Sequence, residues 1–142
     1  MIISVGADHG GFELKKKIVS FLKNSGYEVI DNGTFSSDSV DYPDFAKLVV
    51  KDISLKKADF GVLVCGSGIG ISIAANRHKG IRAALVTRKE FAELSRRHNN
   101  ANIIVLGGRF TPFEDAEEYI SIFLKTPFDG GRHQQRTDKI EI

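Results

Sequence analysis

The sequence predicts an α/β fold in which five parallel strands form a sheet with helices on both faces. Strand patterns alternate with helix patterns five times along the chain, which favours parallel pairing. The apolar run from Phe60 to Val64 does not alternate with polar residues, as is typical of a strand covered on both sides. This run leads into a turn with glycine at every second position, Gly66, Gly68 and Gly70, followed by a helix.

The chain of 142 residues is long enough to bury a substantial core, and we expect one domain over residues 1–142. A net charge of +2 does not indicate a nucleic-acid partner. The single cysteine excludes an internal disulfide framework and suits a reducing cytoplasm. No signal-peptide pattern opens the sequence, and no apolar run approaches the roughly 20 residues of a membrane span. These features predict a soluble cytoplasmic protein with no membrane partner.

The first half of the chain shows two strand patterns and two helix patterns before the glycine turn. The predicted elements are a strand over 2–6, a helix over 12–22, a strand over 27–30 and a helix over 45–55. The lysine run of Lys15, Lys16 and Lys17 is interpreted as a solvated helix face. Residues 34–43 are polar and are predicted to form a loop.

The second half repeats the alternation. The predicted elements are a helix from the glycine turn to Gly80, strands over 81–86 and 103–106, a helix over 89–97 that ends among asparagines, and a helix to about 124. The motif Thr111-Pro112-Phe113-Glu114 is interpreted as a capping box with proline at the first helical position. From about residue 125 the chain is a polar tail.

Ligands of open parallel sheets bind at the carboxyl ends of the strands. The loops predicted there contain Asp8 and His9, the segment from Cys65 to Gly70, and Arg109. The glycine turn is not a dinucleotide fingerprint, because Ile71 stands where the third glycine belongs and Thr87 where an acidic residue is needed. A Walker-type loop is also excluded, since no Gly-Lys-Ser/Thr follows.

Two residues have both a structural and a chemical interpretation. Cys65 is either a small buried apolar residue or a thiolate at a helix N-terminus, able to act as a nucleophile or a base. His98 either caps a helix or acts in acid/base chemistry. A metal site formed by Asp8, His9 and His98 lacks supporting ligand spacing, so no metal is predicted.

Arg132 and Arg136 are four residues apart, so a helical turn would point both guanidinium groups in the same direction. With Arg109 and His133 they could clamp a phosphate, although a solvated basic tail is the alternative. A thiol base, an amide-lined loop, a histidine and arginines together are typical of proton abstraction beside the carbonyl of a phosphorylated sugar. The pattern therefore predicts an aldose–ketose isomerase that needs no cofactor.

Five motifs in order along the chain resemble the ribose-5-phosphate isomerase type B family. They are 6–12 (GADHGGF), 41–43 (DYP), 65–70 (CGSGIG), 95–99 (SRRHN) and 131–136 (GRHQQR). The resemblance implies a three-layer α/β/α Rossmann-like sandwich. It also implies homodimers, or tetramers built from them, whose active sites are shared between subunits. The implied reaction interconverts ribose 5-phosphate and ribulose 5-phosphate through a cis-enediolate, a step of the pentose phosphate pathway in carbohydrate metabolism.

Carried over by position, the resemblance assigns roles to individual residues. Cys65 would be the base, residues Gly66, Ser67, Gly68, Ile69 and Gly70 would form the anion hole with help from the Ser67 hydroxyl, and His98 would open the furanose ring with help from Asp8. Substrate and phosphate would be bound by His9, Tyr42, Asn99, Arg109, Arg132 and Arg136, some of them acting across the dimer interface. Some relatives place a glutamate base at the position of Ile71, which cannot take that role here.

Three alternatives stay open at this point. The substrate could be allose 6-phosphate or galactose 6-phosphate, although galactose-6-phosphate isomerases are built from two different subunits. A rival of another class is a non-catalytic module that binds sugar phosphates or nucleotides, which would have no use for Cys65 or His98.

Overall fold

The computed structural model describes residues 1–141 and shows a parallel sheet between two layers of helices. Its strands are β1 (Ile2–Ala7), β2 (Glu28–Asp31), β3 (Phe60–Cys65), β4 (Ala83–Leu85) and β5 (Ile103–Gly107). Its helices are α1 (Phe12–Asn24), α2 (Tyr42–Ser54), α3 (Ile69–Asn76), α4 (Lys89–Arg97), α5 (Phe113–Lys125) and α6 (Arg132–Asp138). The predicted α/β class is confirmed.

The strands pair in the order β2-β1-β3-β5-β4, and all four pairings are parallel. After β1 the chain moves outward to β2, and it then returns to place β3 on the other side of β1. This reversal creates a crevice at the carboxyl ends of β1 and β3, the position where such sheets bind ligands.

Two apolar cores cover the two faces of the sheet. Alternate residues of β3 point to opposite faces, so Val62 and Val64 enter one core while Leu63 and Cys65 enter the other. The first core is completed by α1, α4 and α5, and the second by α2 and α3. Burial on both faces explains why the β3 sequence does not alternate. No helix among the described residues is long and apolar enough to cross a membrane.

Several element boundaries differ from the prediction. Helix α2 begins at Tyr42 rather than residue 45, because Pro43 fits the first turn of a helix, where its missing N–H is not needed. Strand β4 covers only Ala83–Leu85, since it is an edge strand that pairs with β5 alone. The polar tail contains a helix, α6, anchored by the buried Thr137.

The capping box predicted at Thr111 is wrong. Helix α5 begins at Phe113, and Pro112 is the extended residue before it, with φ −58° and ψ 149°. Thr111 is therefore one position too far from the helix, and no side-chain cap forms there.

The interpretation of Lys15 as a solvated residue is also wrong. Lys15 is 1% exposed, and its Nζ lies 2.8 Å from Asp31 Oδ1. Helical periodicity explains its position, because residues 15, 18, 19 and 22 form one stripe, and the other three members are apolar and buried. The ion pair fastens α1 to the end of β2.

Candidate active site

Three predicted site segments meet at the carboxyl edge of the sheet. The amide of Asp8, which follows β1, donates to Val64 O at 3.2 Å. The amide of Gly108, which follows β5, donates to Cys65 O at 2.7 Å, and that of Arg109 donates to Gly66 O at 3.0 Å. The loops after β1, β3 and β5 are therefore bonded to one another as one unit.

The glycine turn depends on close backbone contacts that a side chain would prevent. Gly68 adopts φ +81°, and a methyl group there would lie 2.5 Å from Leu85 Cδ1. A methyl group on Gly10 would lie 2.9 Å from the Gly66 amide nitrogen. Glycine at residue 10 lets two loops pack backbone against backbone, and glycine at residue 68 leaves room for the Leu85 side chain.

Cys65 is the last residue of β3 and is 4% exposed. Its Sγ accepts a hydrogen bond from the Gly68 amide at 3.2 Å, while the rest of the side chain belongs to the apolar core that includes Ile71 and Val105. The sulfur thus lies at a boundary, with apolar residues beneath it and the polar turn above it. Ile71 is fully buried in this core.

The backbone amides of the glycine turn indicate a binding site for an anion. Within the described residues, the Gly68 amide bonds Cys65 Sγ and the Ile69 amide bonds Ser67 Oγ at 3.1 Å, whereas the amides of Ser67 and Gly70 have no protein acceptor. Free N–H groups in the first turn of a helix are normal and are suited to an oxyanion.

The side chains of Asp8 and His9 both accept hydrogen bonds from backbone amides. Asp8 Oδ1 accepts from the amides of Gly10 at 2.8 Å and Gly11 at 3.2 Å, which orders the loop after β1. His9 Nδ1 accepts from the Val40 amide at 3.2 Å. Because Nδ1 is the acceptor, the ring proton of neutral His9 is on Nε2, which becomes a hydrogen-bond donor.

A cavity of about 580 Å³ adjoins this edge and is lined by Asp8, His9, Tyr42 and neighbours in residues 39–44. The Tyr42 ring closes over Gly70, where an added methyl group would lie 2.7 Å from the ring. The Arg109 guanidinium lies over Gly66, with Nη1 2.9 Å from the position of an added methyl group. Cys65 is not part of the lining of this cavity.

The remaining predicted site residues lie at the opposite edge of the sheet. His98 follows α4, and nearby Asn102 O accepts from the Gly61 amide at the start of β3. Arg132 and Arg136 are on α6, which joins the same region through a stack of His133 on His98. Asn99 O accepts from Arg82 Nε at the amino edge of β4. From Gly61 to Cys65 the strand spans roughly 13 Å, so one chain does not bring these residues to Cys65.

The group at the amino edge is strongly basic. The His98 and His133 rings are 4.3 Å apart with an interplanar angle of 10°. Asp129 donates its amide to Arg97 O at 3.0 Å and accepts from Arg97 Nε at 3.2 Å. Burial, together with the charges of His98, Arg132 and Arg136, lowers the pKa of His133 below its usual value, and Asp129 opposes this shift.

The same group contains a possible set of metal ligands. One ligand atom each from His98, Asp129 and His133 lies within 4.8 Å of the others, and this donor set suits zinc. However, Arg97 already engages the Asp129 carboxylate, and two further arginines adjoin His133. The excess of positive charge favours an anion over a cation at this position.

The phosphate clamp predicted from Arg109, Arg132, His133 and Arg136 does not form within one chain, because Arg109 is at the carboxyl edge and the other three are at the amino edge. Three contributors were missed: Val40, which orients His9, and Arg97 and Asp129, which fasten the tail. Sequence patterns do not reveal these residues. Val40 acts through its backbone amide, which every residue except proline has, and Arg97 and Asp129 are 32 residues apart in the chain.

Comparison with known proteins decides the family. The model of the Ribose/Galactose Isomerase family matches residues 3–140. The chain belongs to this family. Its fold matches the crystal structure of a ribose 5-phosphate isomerase from Thermotoga maritima with a TM-score of 0.98 and 54% identity, covering 99% of this chain and 97% of the other.

Other members of the ribose/galactose isomerase family are similarly close. Ribose-5-phosphate isomerase B of Escherichia coli is 45% identical over 138 residues, which cover 97% of this chain and 93% of the relative. The galactose-6-phosphate isomerase subunit LacB of Clostridium acetobutylicum is 41% identical over 98% of this chain and 80% of its own length. The chain is an isomerase of sugar phosphates, which overturns the alternative of a non-catalytic binding module.

Proposed function

We propose that this isomerase interconverts D-ribose 5-phosphate and D-ribulose 5-phosphate by proton transfer through a cis-enediolate. The observation that carries the proposal is the position of Cys65 Sγ, which accepts a hydrogen bond from the Gly68 amide of the glycine turn. Two further amides of the same turn, those of Ser67 and Gly70, have no acceptor among residues 1–141. A base beside a set of free N–H donors is the arrangement that enolisation requires.

In the proposed reaction the Cys65 thiolate removes the proton from C2 of the open-chain aldose. The electron pair moves to form the C1–C2 double bond, and the negative charge develops on O1. The free amides of Ser67 and Gly70 stabilise this oxyanion. The Ser67 hydroxyl oxygen accepts a hydrogen bond from the Ile69 amide. The hydroxyl proton of Ser67 is therefore free to relay a proton from O2 to O1 of the intermediate. Return of the first proton to C1 completes the ketose.

The substrate enters as a furanose, so the ring must open first. We propose that His98 of the partner subunit does this, with Asp8 assisting through Oδ2, which forms no hydrogen bond within the described residues. His9 Nε2–H and Arg109 contact the sugar phosphate from one subunit. Asn99, Arg132 and Arg136 contact it from the other, and Tyr42 lines the pocket.

We also propose a homodimer, which is supported by the division of these residues between opposite edges of the sheet. A second copy that presents its amino edge to the carboxyl edge of the first would complete the site. The surface beside the glycine turn suits such a contact, since the apolar side chains of Ile69, Ile73 and Leu48 are 54%, 61% and 42% exposed. We also propose a cytoplasmic location, supported by the metabolic relatives of the chain.

Mixing two inactive variants tests the shared site. Cys65→Ala and His98→Asn homodimers should each be inactive towards the furanose substrate. After unfolding and refolding together, heterodimers hold one intact site, and random pairing should restore about a quarter of the wild-type activity. Refolding each variant alone is the control. Absence of recovery, with dimers present by light scattering, would show that both residues serve the same site within one chain.

The substrate is tested separately, by comparing kcat/KM for ribose 5-phosphate, allose 6-phosphate and galactose 6-phosphate. We expect the pentose phosphate to be preferred, in line with the names of the most similar relatives. A larger kcat/KM for either hexose phosphate would replace the pentose assignment and leave the proton-transfer chemistry intact.

A further inference from the structure

The imidazole rings of His98 and His133 form a nearly parallel stack, 4.3 Å between centroids and 10° from coplanar. The two residues belong to different elements, since His98 ends α4 and His133 is in the first turn of α6. His133 has no role in the proposed proton transfer or ring opening. Its ring nevertheless stacks directly on the His98 imidazole.

The stack is anchored on both sides. On the α4 side, the His98 amide donates to Leu94 O at 2.9 Å. Between the two elements, Arg97 holds Asp129 through its carbonyl oxygen and its Nε. On the α6 side, the His133 amide donates to Gly130 O at 3.1 Å, and Thr137 of the same helix is buried. His133 therefore approaches His98 from a fixed direction.

We propose that His133 is a positioning residue that holds the His98 imidazole in the plane required for opening the substrate ring. This proposal rests on the proposed function of His98. A stacked aromatic ring restricts rotation of its neighbour about the terminal side-chain torsion, which is otherwise broad. The stack covers one flat face of the His98 ring, so the nitrogens at the ring edge remain available for contact with substrate.

The arrangement also links ring opening to phosphate binding. Arg132, His133 and Arg136 lie on α6, so the groups proposed to bind phosphate and the ring that orients His98 move together. One short helix would then set the spacing between the phosphate-binding arginines and the ring that orients His98. Misplacing a catalytic group by about 1 Å can lower the rate roughly 10²-fold.

Charges around the stack disfavour protonation of His133. The groups that face it are Asp129 before α6, Arg97 on α4, and Arg132 and Arg136 on α6. Burial and the surrounding positive charges lower the pKa of His133, in spite of Asp129. A neutral His133 can stack on His98 whether or not His98 carries a proton, whereas two charged rings would repel.

The test compares His133→Phe, which keeps a flat aromatic ring, with His133→Leu, which does not. Gln135→Leu, an exposed position on the same helix, is the matched control. Turnover is measured from ribose 5-phosphate, which is mostly cyclic, and from ribulose 5-phosphate, which cannot form a furanose because its 5-hydroxyl is esterified. We expect His133→Leu to lower kcat from ribose 5-phosphate roughly tenfold and to leave turnover of the ketose within about twofold.

His133→Phe should recover most of the lost rate, and Gln135→Leu should match the wild type. Equal losses in both directions, or no recovery with phenylalanine, would overturn the positioning role. Thermal unfolding identifies any variant that fails to fold. If His133→Leu does not fold, the comparison is made between His133→Phe and the wild type.

A second readout separates this inference from the proposed function. Labelled histidine NMR should show the His98 ring signals displaced by the ring current of its neighbour in wild type and in His133→Phe, and relieved in His133→Leu. An unchanged His98 spectrum in all three proteins would refute the stack in solution. If the spectra change as expected but His98→Asn turns over ribose 5-phosphate normally, the ring-opening role of His98 fails and the stack stands.

Discussion

The Tyr42 ring lies against Gly70 so closely that a methyl group at residue 70 would be 2.7 Å from it. Tyr42 opens α2 and Gly70 is in the first turn of α3, so this contact joins the wall of the cavity to the glycine turn. Since Gly70 is helical, the absence of a side chain serves the neighbouring ring rather than the backbone angle.

The Gly70→Ala variant should therefore affect substrate binding without lowering the stability of the fold. Alanine is a better helix former than glycine, and Tyr42 is 39% exposed and can move aside, so we expect unchanged stability or a gain of up to about 1 kcal/mol. The displaced ring should raise KM for ribose 5-phosphate severalfold. Gly68→Ala is the contrasting control, since its φ of +81° should make it destabilising. A KM unchanged in Gly70→Ala would remove Tyr42 from the substrate pocket.

Removing the thiol tests the proton-transfer step. Cys65→Ala should lower kcat by a factor of roughly 10²–10⁴, while the affinity for the substrate, measured by calorimetry, stays within a few-fold. Solvent deuterium should no longer enter the carbon-bound positions of the product. Cys65→Ser keeps the shape and is the matched control, expected to be nearly as inactive because an alcohol is a far weaker acid. Normal turnover in Cys65→Ala would refute the base assignment.

Arg136 should contribute to binding and not to chemistry. The Arg136→Gln variant is expected to raise KM about tenfold or more and to change kcat little, because the phosphate is held equally in the ground and transition states. Inorganic phosphate should also compete less effectively with substrate. Lys139→Gln, an exposed cation just beyond α6, is the control. An unaltered KM would assign Arg136 to a solvated tail.

The lowered pKa of His133 predicts how stability varies with pH. The unfolded chain binds a proton at this ring more readily than the folded chain, so the stabilisation is present above the usual histidine value and is lost as pH falls through the folded value. The melting temperature should decline between about pH 7 and pH 5 in the wild type and decline less in His133→Phe. Identical pH profiles for the two proteins would contradict this account.

The buried ion pair of Lys15 and Asp31 should matter for folding. Lys15→Met leaves the Asp31 carboxylate without its cation, at a cost of roughly 2–4 kcal/mol in unfolding free energy. The double variant with Asp31→Asn should recover part of this loss, because no charge is then left unpaired. Lys16→Met, on the exposed side of α1, is the control and should change stability by less than about 0.5 kcal/mol. Equal effects of the two lysine variants would show that the buried pair has no special role.

Local patterns determined most of the fold. The non-alternating run of β3, the glycine turn and the asparagine at residue 100, which adopts φ +47°, were readable because each depends on neighbouring residues in the chain. The burial of Lys15 was readable in principle from its place on the apolar stripe of α1, but its partner Asp31 belongs to the next strand. The absence of a cap at Thr111 depended on the backbone of Pro112, which composition does not reveal.

The candidate site was determined only in part by the sequence. Residue types and spacing indicated a thiol, an amide turn and arginines, because chemistry depends on which groups are present. The tertiary structure decided that Cys65 and His98 lie at opposite edges of the sheet, and that His133 stacks on His98. Strand order and helix docking create those relationships through contacts between distant segments, so the separation and the stack exist only once the chain has folded.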